Sequence, residues 1–251
     1  MASEKPYEIV PGVYHMGTDT VNWYLVEDEG RLTAVDAGLP GFAKTLDSDL
    51  EALGFKLEDV AAVVLTHSDA AHTGVAPRLQ EAGAEVWIHA DDEETLRHPR
   101  PKSPDASPLQ ILRQLANPRL WKLLPGMLKD GGAKPSKVEG ARTFSGAEVL
   151  DIPGRPRVVP TPGHTPGHCA LHFEGRGALF VGDEMCTRNL LDGSSGPQLM
   201  PSLMNVSTDQ CFRSLAAIEA VDAEVLLPGH GEQFHGSPAA AVAQARKTAR
   251  S

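Results

Sequence analysis

The sequence has 251 residues, of which 41% are hydrophobic, and it carries a formal net charge of -10 at pH 7. A chain of this length can bury a sizeable core in one layered α/β unit, and no apolar run reaches the roughly 18 residues that span a bilayer. The acidic balance argues against binding to nucleic acid or to an anionic membrane, although a local basic patch could override it.

The N-terminal residues and the cysteines bear on location. Residues 1–6 lack a positively charged segment followed by an apolar one, so we expect no signal peptide and a cytoplasmic protein. The cysteines are odd in number and not closely paired, which indicates buried thiols rather than a disulfide framework. They are Cys169, Cys186 and Cys211.

The first 54 residues predict the start of a sheet and a covering helix. Alternating and β-branched patterns predict strands over 7–13, 21–26 and 32–35. Residues 41–54 then show helical spacing, with Gly54 placed to end the helix. The apolar face of that helix comprises Phe42, Leu46, Leu50 and Leu53.

Residues 63–74 run from a buried strand into a cluster of potential metal ligands. Leu65 ends an apolar run typical of a strand covered on both faces, and Thr73-Gly74 opens a predicted helix, 75–82. His67, Asp69 and His72 therefore share one loop at a strand end, where α/β proteins usually place their chemistry. Imidazole and carboxylate groups suit zinc, iron or manganese.

Three later segments repeat the order of strand, small residues and ligand. Residues 161–168 form a turn-rich run with His164 and His168, and the strand 178–181 leads into Gly182-Asp183. The strand beginning at 224 ends in Pro228-Gly229-His230-Gly231. A lone histidine after a strand is more often structural than metal-bound, but four such strand ends together indicate a metal site.

These motifs make the chain similar to the metallo-β-lactamase-fold superfamily, whose hydrolases include glyoxalase II, lactonases and thioesterase-like enzymes. The resemblance covers nearly the whole chain. It implies an α/β fold, a four-layer αββα sandwich forming a single domain over residues 1–251. Asp36 resembles the early structural aspartate of the family, and the resemblance gives His168 a supporting role beside the ligands.

The resemblance departs from the family pattern inside the central loop. The family motif reads His-x-His-x-Asp-His, whereas this chain has Asp69 at the second histidine and Ala71 at the aspartate. The resemblance implies a first metal site of His67, Asp69, His164 and Asp183. The second site keeps His72, His230 and the shared Asp183, but a methyl group at residue 71 cannot coordinate a metal.

The implied chemistry is metal-assisted hydrolysis of a small molecule. We expect one or two Zn²⁺ ions, with Fe²⁺ or Mn²⁺ as alternatives, and catalytic roles for Asp69 and Asp183. A metal-bound hydroxide would attack an ester, thioester or lactone of moderate hydrophobicity.

Residues 97–140 predict a helical lid inserted into this domain. Leu109, Leu112 and Leu115 have the spacing of an amphipathic helix, whose apolar face either packs on the core or serves the site. In the second interpretation the substrate-binding residues are Trp121, Leu124 and Met127. An apolar lid is equally a candidate surface for a homodimer.

The second half predicts strands over 148–152, 157–159, 169–173 and 178–181. Helices are predicted over 207–221, with Asn205 and Ser207 as cap candidates, and over 239–250, ending in Arg246, Lys247 and Arg250. His89, at another strand end, is expected to cap or hydrogen-bond locally.

Three alternatives stay open from the sequence. Persulfide dioxygenases of this superfamily use a set corresponding to His67, His164 and Asp183, and flavodiiron proteins carry an acidic residue matching Asp69, so a mononuclear iron oxidoreductase is one alternative. No flavin-binding domain is evident. The others are a binding protein on a decayed enzyme fold, and an impaired or engineered hydrolase that lacks an aspartate at Ala71.

Overall fold

The computed structural model describes residues 5–18, 20–132 and 135–249. A first sheet contains seven strands in chain order: β1 (Tyr7–Val10), β2 (Val13–Gly17), β3 (Asn22–Asp28), β4 (Arg31–Val35), β5 (Val60–Val64), β6 (Glu85–His89) and β7 (Arg142–Phe144). The pairings from β1 to β4 are antiparallel, and those from β4 to β7 are parallel.

The C-terminal half forms a second sheet and a separate hairpin. Its strands are β8 (Arg157–Pro160), β9 (Cys169–Phe173), β10 (Ala178–Gly182), β11 (Met185–Arg188), β12 (Ser195–Leu199), β13 (Val225–Pro228) and β14 (Phe234–His235). The second sheet has the order β14-β13-β10-β9-β8, with β10 and β13 parallel, and β11 pairs with β12.

The α-helices are α1 (Leu46–Ala52), α2 (Ala76–Glu81), α3 (Ala90–Arg97), α4 (Pro108–Leu115), α5 (Pro118–Lys129), α6 (Thr208–Glu219) and α7 (Pro238–Thr248). Short 3₁₀ helices occupy Pro40–Lys44, Leu57–Asp59, Glu174–Arg176 and Ser202–Met204. Within the described ranges, no helix is long and apolar enough to cross a membrane.

Three apolar cores separate four layers, which confirms the predicted αββα sandwich. One core lies between the first sheet and helices α1 to α3, one between the two sheets, and one between the second sheet and helices α6 and α7. Successive residues of a strand point to opposite faces, so Val63 enters the first core while Val64 enters the second. This double burial explains the continuous apolar runs in the sequence.

Several predicted elements differ from the structure. The strand predicted over 7–13 is two strands, because Pro11 and Gly12 form a turn in which Gly12 has a φ of 76°. The strand predicted over 148–152 is reduced to one bridge between Val149 and Arg157, beside the turn at 153–154. Helix α3 was not predicted. The three cysteines are free and buried, as expected.

The ends of the predicted helices also need correction. The helix predicted over 41–54 is a 3₁₀ turn followed by the shorter α1. Ser207 caps α6 by accepting from the Gln210 amide, whereas Asn205 serves the site described below. Arg250, predicted at the end of the last helix, lies outside the described residues.

Candidate metal centre

Loops from both sheets meet at one edge of the sandwich and bring the predicted ligands together. His67, Asp69 and His72 lie between β5 and α2, and His164 lies between β8 and β9. Asp183 follows β10, and His230 follows β13. All four histidines and Asp183 are buried, and Asp69 is half-buried. The strand ends fix where each loop starts, which is why distant segments of the sequence converge here.

A network centred on Asp36 orients the two histidines of the first loop. The Asp36 carboxylate accepts from the amide and hydroxyl of Thr66, and His72 Nδ1 lies 2.9 Å from it. Because the Thr66 hydroxyl gives its proton to the carboxylate, its oxygen accepts from His67 Nδ1 at 2.9 Å. Both Nδ1 atoms are therefore occupied by hydrogen bonds, and both Nε2 atoms point into the site. This is the usual arrangement of a metal-binding histidine, whose non-ligating nitrogen donates a hydrogen bond.

The other two histidines are anchored in the same way. His164 Nδ1 donates to Oδ1 of Asn205 at 3.0 Å, since the amide nitrogen of Asn205 is committed to the Met200 carbonyl. His230 Nδ1 donates to the Thr20 carbonyl at 2.5 Å. With all four Nδ1 atoms used as donors, all four Nε2 atoms are left to bind a metal.

Asp183 lies at the centre of these four nitrogens. Its Oδ2 is 3.2 Å from His230 Nε2, 3.5 Å from His164 Nε2 and 3.9 Å from His67 Nε2. Its Oδ1 is 3.4 Å from His72 Nε2. One carboxylate thus faces both predicted metal positions, as the shared ligand of a two-metal site does.

Two groups of donors have the spacing and chemistry of a metal site. His67, His72 and Asp183 form one, His67, Asp69 and His164 form the other, and the donor atoms of each lie within 4.8 Å of one another. Buried His67 Nε2, His72 Nε2 and Asp183 Oδ1 have no hydrogen-bond partner among the described residues. An unsatisfied buried polar group costs about 1–3 kcal/mol, so a divalent cation fits this nitrogen and oxygen set.

The electrostatics of the histidines follow from burial and from the carboxylates. Burial, with the charges of His72 and His164 nearby, holds the pKa of His67 well below its ordinary value. Burial also disfavours the charged form of His72, but Asp183 and Asp36 outweigh it and raise the pKa of His72 to about 10. In the metal-free protein, a proton on His72 therefore takes the place of a cation beside Asp183.

Both aspartates of the site are held in their ionised form. Burial opposes ionisation of Asp183, but the charges of His230 and His72 hold its pKa well below the ordinary value. For Asp69, the hydrogen bond with His164 and the charges of His67 and Lys102 likewise overcome burial and lower the pKa. Two ionised carboxylates facing ring nitrogens favour cation binding.

Lys102 belongs to the site, although no sequence pattern predicted it. Its Nζ lies 2.5 Å from Asp69 Oδ2 and 2.8 Å from His164 Nε2. Nothing in the proline-rich segment around Lys102 resembles a motif, so spacing alone could not have found it. Its ammonium group contacts two of the donors that the first metal site would use.

Asp92 was also missed, and it connects two ligand loops. Its carboxylate accepts from the Ser68 amide at 3.0 Å, from the Thr165 hydroxyl at 2.8 Å and from the Gly167 amide at 2.8 Å. Asp92 lies in α3, an unpredicted helix, so no sequence pattern pointed to it. It fixes the loop of His67 to that of His164.

His168 supports Asp183 through the backbone. Its Nδ1 contacts the Thr161 hydroxyl at 2.9 Å, and its Nε2 accepts from the Asp183 amide at 3.1 Å. Burial lowers the pKa of His168 to about 3, with the neighbouring charge of His164 acting in the same direction. Gly182 has a φ of +50°, and a Cβ there would lie 2.7 Å from His168 Nε2, so this packing requires glycine.

A cavity of about 510 Å³ opens above these ligands. Met127 lines it, as the lid hypothesis predicted, together with Ala71 and Lys102. Trp121 is 56% exposed, its Nε1 donates to the Leu115 carbonyl, and it is not among the residues that line the cavity. Leu124 is half-buried and does not line the cavity either. The structure therefore places one of the three predicted substrate-binding residues at the cavity.

His89 and Ala71 complete the predicted residues. His89 caps α3, where its side chain accepts from the Asp91 amide, so it acts locally. Ala71 lies on the cavity wall, and in sequence it stands between His67 and His72. Its methyl group offers no atom that could bind a metal. The departure from the family motif thus faces the cavity above the ligands.

The comparisons with known proteins identify the family. The family model described as the metallo-beta-lactamase superfamily matches residues 16–230. The chain therefore belongs to the metallo-beta-lactamase superfamily. Among solved structures, the metallo-beta-lactamase family protein TTHA1429 from Thermus thermophilus has a TM-score of 0.68 and 22% identity, over 97% of this chain and 81% of that chain.

Relatives from Bacillus subtilis match over most of their length. The probable metallo-hydrolase YqjP is 30% identical over 241 residues, which cover 89% of this chain and 70% of YqjP. The uncharacterized protein YobT is 26% identical over 241 residues, which cover 92% of this chain and 91% of YobT. The two matches each cover about nine tenths of this chain.

Proposed function

We propose that this protein is a metal-dependent hydrolase that cleaves an ester, thioester or lactone of a moderately hydrophobic small molecule. The observation that carries the proposal is the convergence of four buried Nε2 atoms on Asp183, each opposite an anchored Nδ1. The name of YqjP, a probable metallo-hydrolase, points the same way. Zn²⁺ is the proposed ion, because imidazole-rich sets with carboxylates suit it.

The ligands divide into two groups around Asp183. His67, Asp69 and His164 would hold the first ion, while His72 and His230 would contribute to a second. A divalent ion, when bound, lowers the pKa of water toward roughly 7 and polarises a carbonyl group. Because Ala71 supplies no carboxylate to the second position, we propose that the ion at the first position is bound more tightly.

The chain's own residues would orient the reactants. Asp69 is half-buried on the cavity wall and ionised, so it would bind the ion with its carboxylate and accept a hydrogen bond from an attacking water. Asp183 would hold the four histidine rings in position, because its carboxylate lies within 4.0 Å of the Nε2 atom of each. Met127, Leu203 and Met204 give the cavity an apolar wall for the substrate.

Turnover by metal-stripped and reloaded protein tests the proposal. The chain would be treated with a chelator, reloaded with Zn²⁺, Mn²⁺ or Fe²⁺, and given esters, thioesters and lactones with short apolar groups. His164→Ala should abolish metal-dependent turnover, whereas His235→Ala, an exposed histidine on β14, should leave it unchanged. Hydrolysis that is equal with and without metal would refute the proposal.

A mononuclear iron oxidoreductase is the second candidate, and one observation favours it. Nε2 of His67 and His164 both lie within 4.0 Å of Asp183 Oδ2, which is the two-histidine, one-carboxylate set of non-haem iron oxygenases. Oxygen uptake by the Fe²⁺-loaded protein with a low-molecular-weight persulfide, without hydrolysis of any ester or lactone, would select this function.

A further inference from the structure

Helices α4 and α5 form a hairpin, residues 108–129, whose apolar side chains are largely uncovered. Of the nine exposed large apolar residues in the described part of the chain, six belong to it. They are Leu109 at 58% exposure, Ile111 at 37%, Leu112 at 63%, Leu115 at 52%, Trp121 at 56% and Leu128 at 52%. The hypothesis that the face of α4 packs on the core is therefore wrong.

The exposed residues of α4 share one side of the helix. At 100° per residue, Leu109, Ile111, Leu112 and Leu115 fall within an arc of about 160°. Polar residues, Gln110, Arg113 and Gln114, occupy the remainder. A helix of eight residues is marginal in water without a packing surface. The apolar arc of α4 thus has the form of a surface that another body covers.

Helix α5 has apolar residues on two sides, of which the protein covers one. Leu123 and Met127 are half-buried and face inward, with Met127 at the metal cavity. Trp121 and Leu128, seven positions apart, share the opposite side and are exposed. The indole of Trp121 is tied to α4 by its 2.7 Å hydrogen bond to the Leu115 carbonyl. The two outer faces therefore belong to one hairpin surface.

The charge of the hairpin is opposite to that of the chain. Residues 106–129 contain four cations and no aspartate or glutamate, although the whole chain carries -10. All four cations are exposed, and none has a carboxylate oxygen within 4.0 Å among the described residues. They are Arg113, Arg119, Lys122 and Lys129. On α5, Lys122 directly follows Trp121 and Lys129 directly follows Leu128 in sequence.

We propose that the α4–α5 hairpin docks on an anionic lipid surface. Exposed leucines and a tryptophan beside unpaired cations are the composition of helices that lie in a membrane interface. Tryptophan also favours the boundary between lipid and water. A second copy of the chain bound hairpin to hairpin would place four cations against four, which opposes that arrangement. The expectation of no membrane binding rested on the net charge of the whole chain, whereas this proposal rests on the local charge of the hairpin.

Docking at this hairpin would bring the cavity close to the lipid. Met127 faces the cavity from the inner side of α5, and Trp121 lies on the outer side of the same helix. A moderately hydrophobic substrate partitions into lipid, so the position of the hairpin suits entry from that side. The docking inference itself does not depend on hydrolysis.

Vesicle flotation of the full chain tests this inference. The purified protein would be mixed with vesicles of phosphatidylcholine alone or of phosphatidylcholine with phosphatidylglycerol, at low and high salt. We expect binding to the anionic vesicles only, weakened by salt. Lys122→Gln combined with Lys129→Gln should weaken binding about fivefold per cation, which corresponds to ~1 kcal/mol each.

A second variant tests the apolar contribution. Leu112→Ser combined with Trp121→Ser should abolish flotation, because it removes two exposed apolar side chains from the interface. Lys44→Gln combined with Lys247→Gln, two exposed cations outside the hairpin, should bind as the unmodified chain does. Thermal unfolding would check that each variant folds.

Three results would overturn the inference. Equal binding to neutral and anionic vesicles would remove the charge argument. If the unmodified chain is a dimer that binds no vesicles, and the double variant Leu112→Ser, Trp121→Ser is a monomer, the hairpin instead binds a second copy of the chain. A monomer that binds no vesicle would leave the hairpin without this role.

Discussion

Replacing Asp36 with Asn tests whether one buried carboxylate orients both histidines of the first ligand loop. Asp36 accepts from the Thr66 amide and hydroxyl and lies 2.9 Å from His72 Nδ1, while Thr66 accepts from His67. The substitution keeps the size of the side chain. Asp36 has a φ of 61°, a backbone conformation that asparagine also tolerates, so the change adds little strain.

The expected cost follows from these contacts. Asparagine offers one acceptor oxygen in place of two, so either the Thr66 hydroxyl or His72 loses its partner. A hydrogen bond to a charged group contributes about 1.5–3 kcal/mol, and we expect the free energy of unfolding to fall by roughly 2–3 kcal/mol. Loss of a carboxylate behind a ligating histidine should weaken metal binding by about 10–100-fold.

Urea unfolding of the metal-free protein and competitive titration with Zn²⁺ would measure both effects. Asp47→Asn provides a matched control, because Asp47 is exposed and pairs with Arg78 at the surface, where such pairs contribute about 0–1 kcal/mol. If Asp36→Asn unfolds and binds metal as the unmodified chain does, the orienting role of Asp36 is refuted.

Three further predictions concern the same site. The free energy of unfolding of the metal-free protein should fall as pH rises from 6.5 toward about 10. The folded-state pKa of His72 is raised to about 10, so the stabilising proton is lost as pH approaches that value. Urea unfolding that shows constant or rising stability across this range would contradict the prediction. Gly229→Ala should weaken metal binding at least about tenfold (~1.4 kcal/mol), measured by titration, because its Cβ would lie 2.3 Å from Asp183 Oδ1. Gly175→Ala is the control and should have no effect, because no atom of the described residues lies within 4 Å of the added Cβ. Equal losses in the two variants would refute the steric argument. Lys102→Met should tighten binding of the first ion about tenfold (~1.4 kcal/mol), since the ammonium group of Lys102 competes with the ion for Asp69 and His164. Weaker metal binding by this variant in the same titration would show that Lys102 supports the site instead.

Short sequence patterns predicted the strands and the candidate ligands at their ends, while the resemblance to the superfamily implied the four layers and the grouping of the ligands. Apolar runs such as 63–65 and 178–181 are continuous only where both faces of a strand are covered, and the structure divides them between two cores. His67 and Asp183 lie two residues after such runs, and His72, His164 and His230 lie in the loops that follow strands. Strand ends at one edge of the sandwich then bring His67, His164 and Asp183 together without further information.

The parts that the sequence missed depend on contacts between distant segments. Lys102 and Asp92 reach the site from a proline-rich loop and an unpredicted helix, and no local spacing marks either of them. Helical periodicity correctly placed Leu112 on an apolar face, but periodicity does not show what covers that face. In the sequence, Trp121 is an apolar residue of a predicted helix and could equally face a pocket or solvent. In the structure it lies on the outer side of α5.

The metal content of the purified chain and of Ala71→Asp, with ester and lactone turnover followed in parallel, tests the central claim most directly. We predict close to one zinc ion per chain in the unmodified protein, because the second position lacks a carboxylate. Ala71→Asp should raise this toward two and increase turnover. A protein that binds no metal in either form, or hydrolysis that persists after complete chelation, would contradict the account.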